Sequence, residues 1–144
     1  MLDQLVREVQ KVLEEEARES LAAGWAELRS EHDVEPSLHL EPMKMAAAPL
    51  EIHFDSEELL LCTPGRNGMI CEFFTDDCDD LPGAVRGLAA AVLAGTYSER
   101  LKEGSVQIEA SWPGADGPQV MRHNVLEVPG AEDKGWRSVS YEPF

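Results

Sequence analysis

Asp76-Asp77-Cys78-Asp79-Asp80 places four carboxylates within five residues, the densest concentration of potential metal ligands in the chain. A calcium loop of the EF-hand kind needs acids on alternate positions, a glycine at the sixth and a glutamate at the twelfth, and this run provides none of that spacing. Acids in front of a helix do simpler work. They accept hydrogen bonds from the first free N–H groups and face the positive end of the dipole, for about 0.3–1 kcal/mol each.

The other chemistry-bearing residues are dispersed. His32, His39, His53 and His123 include no HExxH pair and no two histidines four residues apart, so each is expected to be a strand-surface or hydrogen-bonded residue. Cys62, Cys71 and Cys78 are an odd number whose spacing matches neither a disulfide framework nor a zinc pair. Pro64-Gly65-Arg66-Asn67-Gly68 lacks the Lys-Ser/Thr ending of a phosphate loop and joins two strand patterns, so it reads as a hairpin turn. There is no Gly-x-Ser-x-Gly and no dinucleotide fingerprint. No enzyme activity, metal or cofactor is expected.

Charge gives a sharper constraint. Of 28 acidic side chains, 20 lie in the first 80 residues beside six Lys or Arg, so about -14 of the net -16 is local to that part. Such a field repels nucleic acid and anionic membrane and accelerates encounter with a basic protein by about 10- to 10³-fold. Solubility alone is served with less self-repulsion by mixed signs. The 43% hydrophobic content belongs to a globular chain, and 144 residues match one domain over 1–144. The chain has no secretory n-region and no apolar run near the roughly 20 residues that cross a bilayer, so the cytoplasm is the expected compartment.

The elements that must carry these residues follow from periodicity. Leu2, Leu5, Val6, Val9, Leu13, Ala17 and Leu21 line one face of a helix, with Gly24 as its stop, although Leu28 also fits the stripe. Trp25 to His32 and Leu38-His39-Leu40 then read as strands. Leu50–Phe54, Glu58–Thr63 and Met69–Phe74 form a three-stranded meander. With Arg66-Asn67 as its second loop, Cys62 faces Cys71 and Leu60 faces Phe73; with Asn67-Gly68 the register moves. Either choice leaves Glu72 opposite Cys71 and Phe73.

Asp79 or Asp80 caps a second helix whose buried stripe is Leu81, Val85, Leu88, Ala89, Val92 and Leu93, ended by Gly95. Three strands follow at Ser105–Trp112, Gln119–Val128 and Trp136–Tyr141. The expected class is α+β with a mostly antiparallel sheet.

A small acidic chain with an N-terminal amphipathic helix, Gly24-Trp25-Ala26-Glu27-Leu28, the segment Gly95-Thr96-Tyr97-Ser98-Glu99 and a sheet closing on Trp136 to Tyr141 resembles immunity proteins of bacterial polymorphic toxin systems. The resemblance implies a non-enzymatic inhibitor that neutralises a basic toxin, for instance a nuclease, by direct binding. The acids expected to make that contact are Glu57, Glu58, Asp76, Asp77 and Asp79, with Glu14 and Glu15 behind them; Trp25, Trp112, Trp136 and Tyr141 are candidate aromatic anchors. Three rival readings differ in what they require. A nucleic-acid mimic would compete with DNA for several basic proteins. An effector chaperone would leave the apolar face of the first helix poorly packed, and a small enzyme would join His53, His123 and an acid in one pocket.

Overall fold

The computed structural model describes residues 2–32, 35–76, 79–102, 106–114, 117–126 and 135–144. The chain is α+β. Helix α1 (Leu2–Glu16) is followed by the short α2 (Arg18–Ala22), and α3 spans Leu81–Ala94. Strands β1 (Ala26–His32), β2 (Pro36–Pro42), β3 (Leu50–Ser56), β4 (Leu59–Pro64) and β5 (Cys71–Phe74) make one antiparallel sheet in that order. Strands β6 (Ser98–Lys102), β7 (Val106–Gly114), β8 (Gly117–Leu126) and β9 (Trp136–Ser140) make a second, ordered β8-β7-β6-β9. Among the described residues, no helix is long and apolar enough to cross a membrane.

The amphipathic stripe of the first helix is buried at Val6, Val9, Leu13 and Ala17, with Val12 added. The run stays hydrogen-bonded across the α1–α2 junction, with Ala17 N–H on the Leu13 carbonyl and Leu21 N–H on the Ala17 carbonyl, both at 2.9 Å. It ends before Gly24, whose φ of 74° is the left-handed geometry glycine tolerates best. Leu28 therefore belongs to β1 rather than to a longer helix. Asp80 caps α3 by accepting the Gly83 N–H at 3.0 Å, and Gly95 closes it at φ 73°. Its expected stripe is buried from Leu81 to Val92, with Leu93 half-buried.

The meander has five strands rather than three, because β1 and β2 join it. Its inner face pairs Leu28 with Leu40, Leu38 with Ile52, Ile52 with Cys62, Leu60 with Phe73, and Cys62 with Cys71. That last pairing is the register given by Arg66-Asn67 as the loop. This face packs on α1 through β2 and β3 and on α3 through β5, while α3 also meets β7. The buried cluster continues from Leu13 and Ile52 through Leu88 to Tyr97 and Trp112.

The second sheet holds a strand the sequence pattern did not reveal. Strand β6, Ser-Glu-Arg-Leu-Lys, is mostly charged, yet it pairs with both β7 and β9, and that central position overrides its weak strand propensity. Glu99 on β6 is 1% exposed. It accepts from Tyr97 Oη at 2.8 Å on Oε2, and from Tyr141 Oη at 2.5 Å and Asn67 Nδ2 at 3.0 Å on Oε1. Tyr141 Oη in turn accepts the Arg66 N–H at 3.0 Å. A carboxyl group from one sheet thus fastens the Pro64–Gly68 turn of the other. Gly65 permits the approach: its φ is 75°, and an added Cβ would lie 2.7 Å from the Tyr141 hydroxyl.

Candidate protein-interaction face

Side chains alternate across a strand, so the apolar inner face of the meander fixes what its other face presents. Glu27 stands opposite Glu41; Arg29, His39, Glu51 and Thr63 form the next row; Glu31, Ser37, His53, Leu61 and Glu72 form a third. Five glutamates accompany a single arginine on this face. Arg29 reaches Glu31 at 3.7 Å and Glu41 at 3.9 Å, exposed contacts that hold little energy in water. Glu27 and Glu41 oppose each other directly, an arrangement that disfavours the sheet.

Two histidines sit among these acids. His39 is 7% exposed, with Nε2 3.0 Å from Ser37 Oγ and Nδ1 3.3 Å from Glu51 Oε1. His53 Nε2 is 3.4 Å from the other Glu51 oxygen, and the two imidazoles meet edge to face at 6.1 Å.

The sequence-predicted acids among the described residues lie in three places. Glu57 and Glu58 form the β3–β4 turn, and the Thr75 N–H donates to the Glu58 carbonyl at 3.0 Å, which sets Asp76 beside them at one end of the sheet. Exposed Asp79 lies on the segment leading into α3, and Asp77 is outside the described residues. Glu14 and Glu15 belong instead to α1. There Arg86 of α3 forks onto Glu15 at 2.9 Å and Glu16 at 2.7 Å, holding the Glu15 carboxyl below the usual carboxylate range. Exposed Glu14 accepts from Gln10 at 3.2 Å.

Sequence reasoning missed Glu27, Glu31, Glu41 and Glu51 as a group, although their odd-numbered spacing opposite Leu28, Leu38, Leu40, Leu50 and Ile52 carries the signal.

The four aromatic candidates separate clearly. Trp112 is core, edge to face with Phe73 at 6.5 Å, and Tyr141 belongs to the Glu99 network. Trp136 packs under the Arg100 guanidinium at 4.9 Å. Trp25 is 57% exposed and Met43 60%, joined by a 2.9 Å hydrogen bond from Met43 N–H to the Trp25 carbonyl. Together with Lys44 and Phe144 they line a groove of about 260 Å³. A second groove of about 530 Å³ runs from Trp25 and Phe144 past Glu15, Glu16 and Glu19. Trp25 and Met43 flank the Ala26–Pro42 pair, one residue beyond Glu27 and Glu41.

The second sheet contrasts with this. Its Glu109 is held between Arg122 at 2.7 Å and Arg100, which keeps its carboxyl below the usual range. Glu109 is thus paired within its own sheet. Comparison of the chain with protein-family models, curated proteins and solved structures finds no match.

Proposed function

We propose that this protein is a non-enzymatic inhibitor of the immunity-protein kind, which captures a basic protein partner on the outward face of its five-stranded sheet. The observation that carries this reading is the set of five glutamates around one arginine on the outward face of the sheet, with Glu27 set directly against Glu41. A protein under selection for stability alone gains by mixing signs across strands. The exposed Trp25–Met43 groove beside those glutamates supplies what charge lacks, an apolar anchor that loses water on docking. Electrostatics would set the association rate and the anchor the residence time.

Two rival readings find less support. The apolar face of α1 is buried against α3 and the sheet, whereas an effector chaperone would offer it. His53 and His123 stand on different sheets, and neither lines the two grooves described above.

The test begins with capture of the partner from source-cell lysate at low salt, its elution by salt, and stopped-flow kinetics on the purified pair. Raising ionic strength from 0.01 to 0.15 M shortens the Debye length from about 30 to about 8 Å and should slow association at least about tenfold, with little change in dissociation. Neutralising Glu27, Glu31 and Glu72 to Gln should slow association more than neutralising Glu57, Glu58 and Asp76. An association rate indifferent to salt would sink the proposal. A partner that is a nucleic-acid enzyme displaced by DNA would favour the mimic reading.

A further inference from the structure

We propose that His39, Glu41 and Glu51 form a binding site for a divalent first-row transition ion, with zinc as the ion that fits best. The inference does not rest on the docking reading, although Glu41 and Glu51 belong to the same outward face.

Three features of the outward face carry it. The ligand atoms of the three side chains all lie within 4.8 Å of one another. Their scaffold is regular: His39 and Glu51 are direct cross-strand partners on β2 and β3, and Glu41 is two residues along β2 on the same side. The third feature is a polar atom without a bond. His39 is more than nine-tenths buried, and its Nδ1 has no hydrogen-bond partner. Glu51 Oε1 stands 3.3 Å from that nitrogen, but the pair lacks hydrogen-bond geometry.

With Nε2 hydrogen-bonded to Ser37 Oγ at 3.0 Å, Nδ1 is the ring nitrogen left over, buried beside the Glu51 carboxylate at 3.3 Å but off the axis of a hydrogen bond. A cation answers that arrangement. Zinc takes imidazole nitrogen and carboxylate oxygen at about 2.0–2.2 Å, which puts neighbouring ligands about 3.4 Å apart in a tetrahedron. Glu41 and Glu51, each with a partly exposed side chain, can close the remaining distance by turning about their side-chain bonds. Ser37 orients the imidazole, and His53, 3.4 Å from the second Glu51 oxygen, orients that carboxylate. A water molecule would complete a four-coordinate set. One imidazole with two carboxylates selects zinc over calcium or magnesium, which take oxygen sets of six or more.

Calorimetric titration of the chelator-stripped full chain with zinc chloride tests the site. One zinc per chain is expected, with affinity reduced at least about tenfold in Glu41→Gln and in Glu51→Gln, both surface changes that leave the core intact. His53→Ala should weaken binding about 10-fold without abolishing it, as removing an outer-sphere partner does. Cobalt should give the visible absorption of a low-coordinate site that Glu51→Gln loses. Zinc no tighter than calcium would overturn the proposal. So would stoichiometric binding that survives both glutamine variants, including binding that disappears only in Cys78→Ser.

Discussion

Tyr97→Phe removes one oxygen from the interior and leaves the ring in place, so it isolates what the Glu99 network contributes. Tyr97 is fully buried and its ring stacks on Tyr141 at 5.9 Å, contacts that phenylalanine keeps. What is lost is the 2.8 Å bond to Glu99 Oε2, while Oε1 retains Tyr141 and Asn67. A hydrogen bond to a charged group contributes about 1.5–3 kcal/mol, and the orphaned oxygen is shielded from water, so we expect a loss of about 2 kcal/mol. At about 2.1 cal/mol/K per residue, a 144-residue chain has an unfolding entropy near 0.3 kcal/mol/K, and the expected fall in Tm is about 7 °C.

Differential scanning calorimetry with urea titration reads both quantities. Tyr141→Phe removes the donor to Oε1 and an acceptor for the Arg66 N–H, and should destabilise by a similar amount. Because both phenols serve one carboxyl group, the double variant should depart from additivity by at least about 0.5 kcal/mol. A Tm shift below about 1 °C for Tyr97→Phe, with additive effects in the pair, would refute the assignment of Glu99 as the clasp between the two sheets.

Two more outcomes follow from the same interior. Burial pushes the Cys71 thiol up to about 12 and the Cys62 thiol well above its ordinary value, so in a Cys78→Ser chain neither should react with a disulfide reagent at pH 8 until denaturant is added; prompt labelling of the native chain would contradict this. Burial and Glu99 also push Tyr141 up to about 12 and Tyr97 far above its usual range, so the folded chain holds protons that the unfolded chain releases from about pH 9 for thiols and about pH 10 for phenols. Stability should accordingly be full below pH 9 and fall as pH rises toward 12, less steeply in Tyr97→Phe; a flat urea midpoint from pH 8 to 11 would contradict it.

Alternation made most of the first sheet legible, because Leu50, Ile52 and Phe54 announce a buried face wherever they occur. Turn chemistry narrowed the next hairpin to two registers, and the structure has the one in which Cys62 faces Cys71. Strand β6 was not legible, since Glu99 reads as a surface acid and becomes an interior one only when Tyr141 and Asn67 arrive from two other segments to join the neighbouring Tyr97. Contiguous acids such as Glu14-Glu15-Glu16 attract the eye, yet a helix spreads neighbours around its axis and Arg86 takes up two of the three. Acids on alternate residues of adjacent strands add on one surface, and that sum exists only once the strand order is known. The grouping of His39 with Glu41 and Glu51 was hidden for the same reason, because His39 and Glu51 are twelve residues apart in sequence and neighbours across strands.

The distribution of charge then decides how the faces can act. Adjacent strands lie about 4.8 Å apart, within a Debye length of about 8 Å at physiological salt, so Glu27, Glu41 and Glu51 present one joint field. Glu109 contributes little outward field because Arg100 and Arg122 neutralise it in place. Under the proposed function, a basic partner would be oriented before contact, with its positive surface toward the meander and the Trp25–Met43 groove at the margin of the approach. A divalent ion at His39 would lower that field by two charges at its centre. If both proposals hold, zinc and a basic partner would compete for Glu41 and Glu51, and each would lower the other's affinity by the same factor.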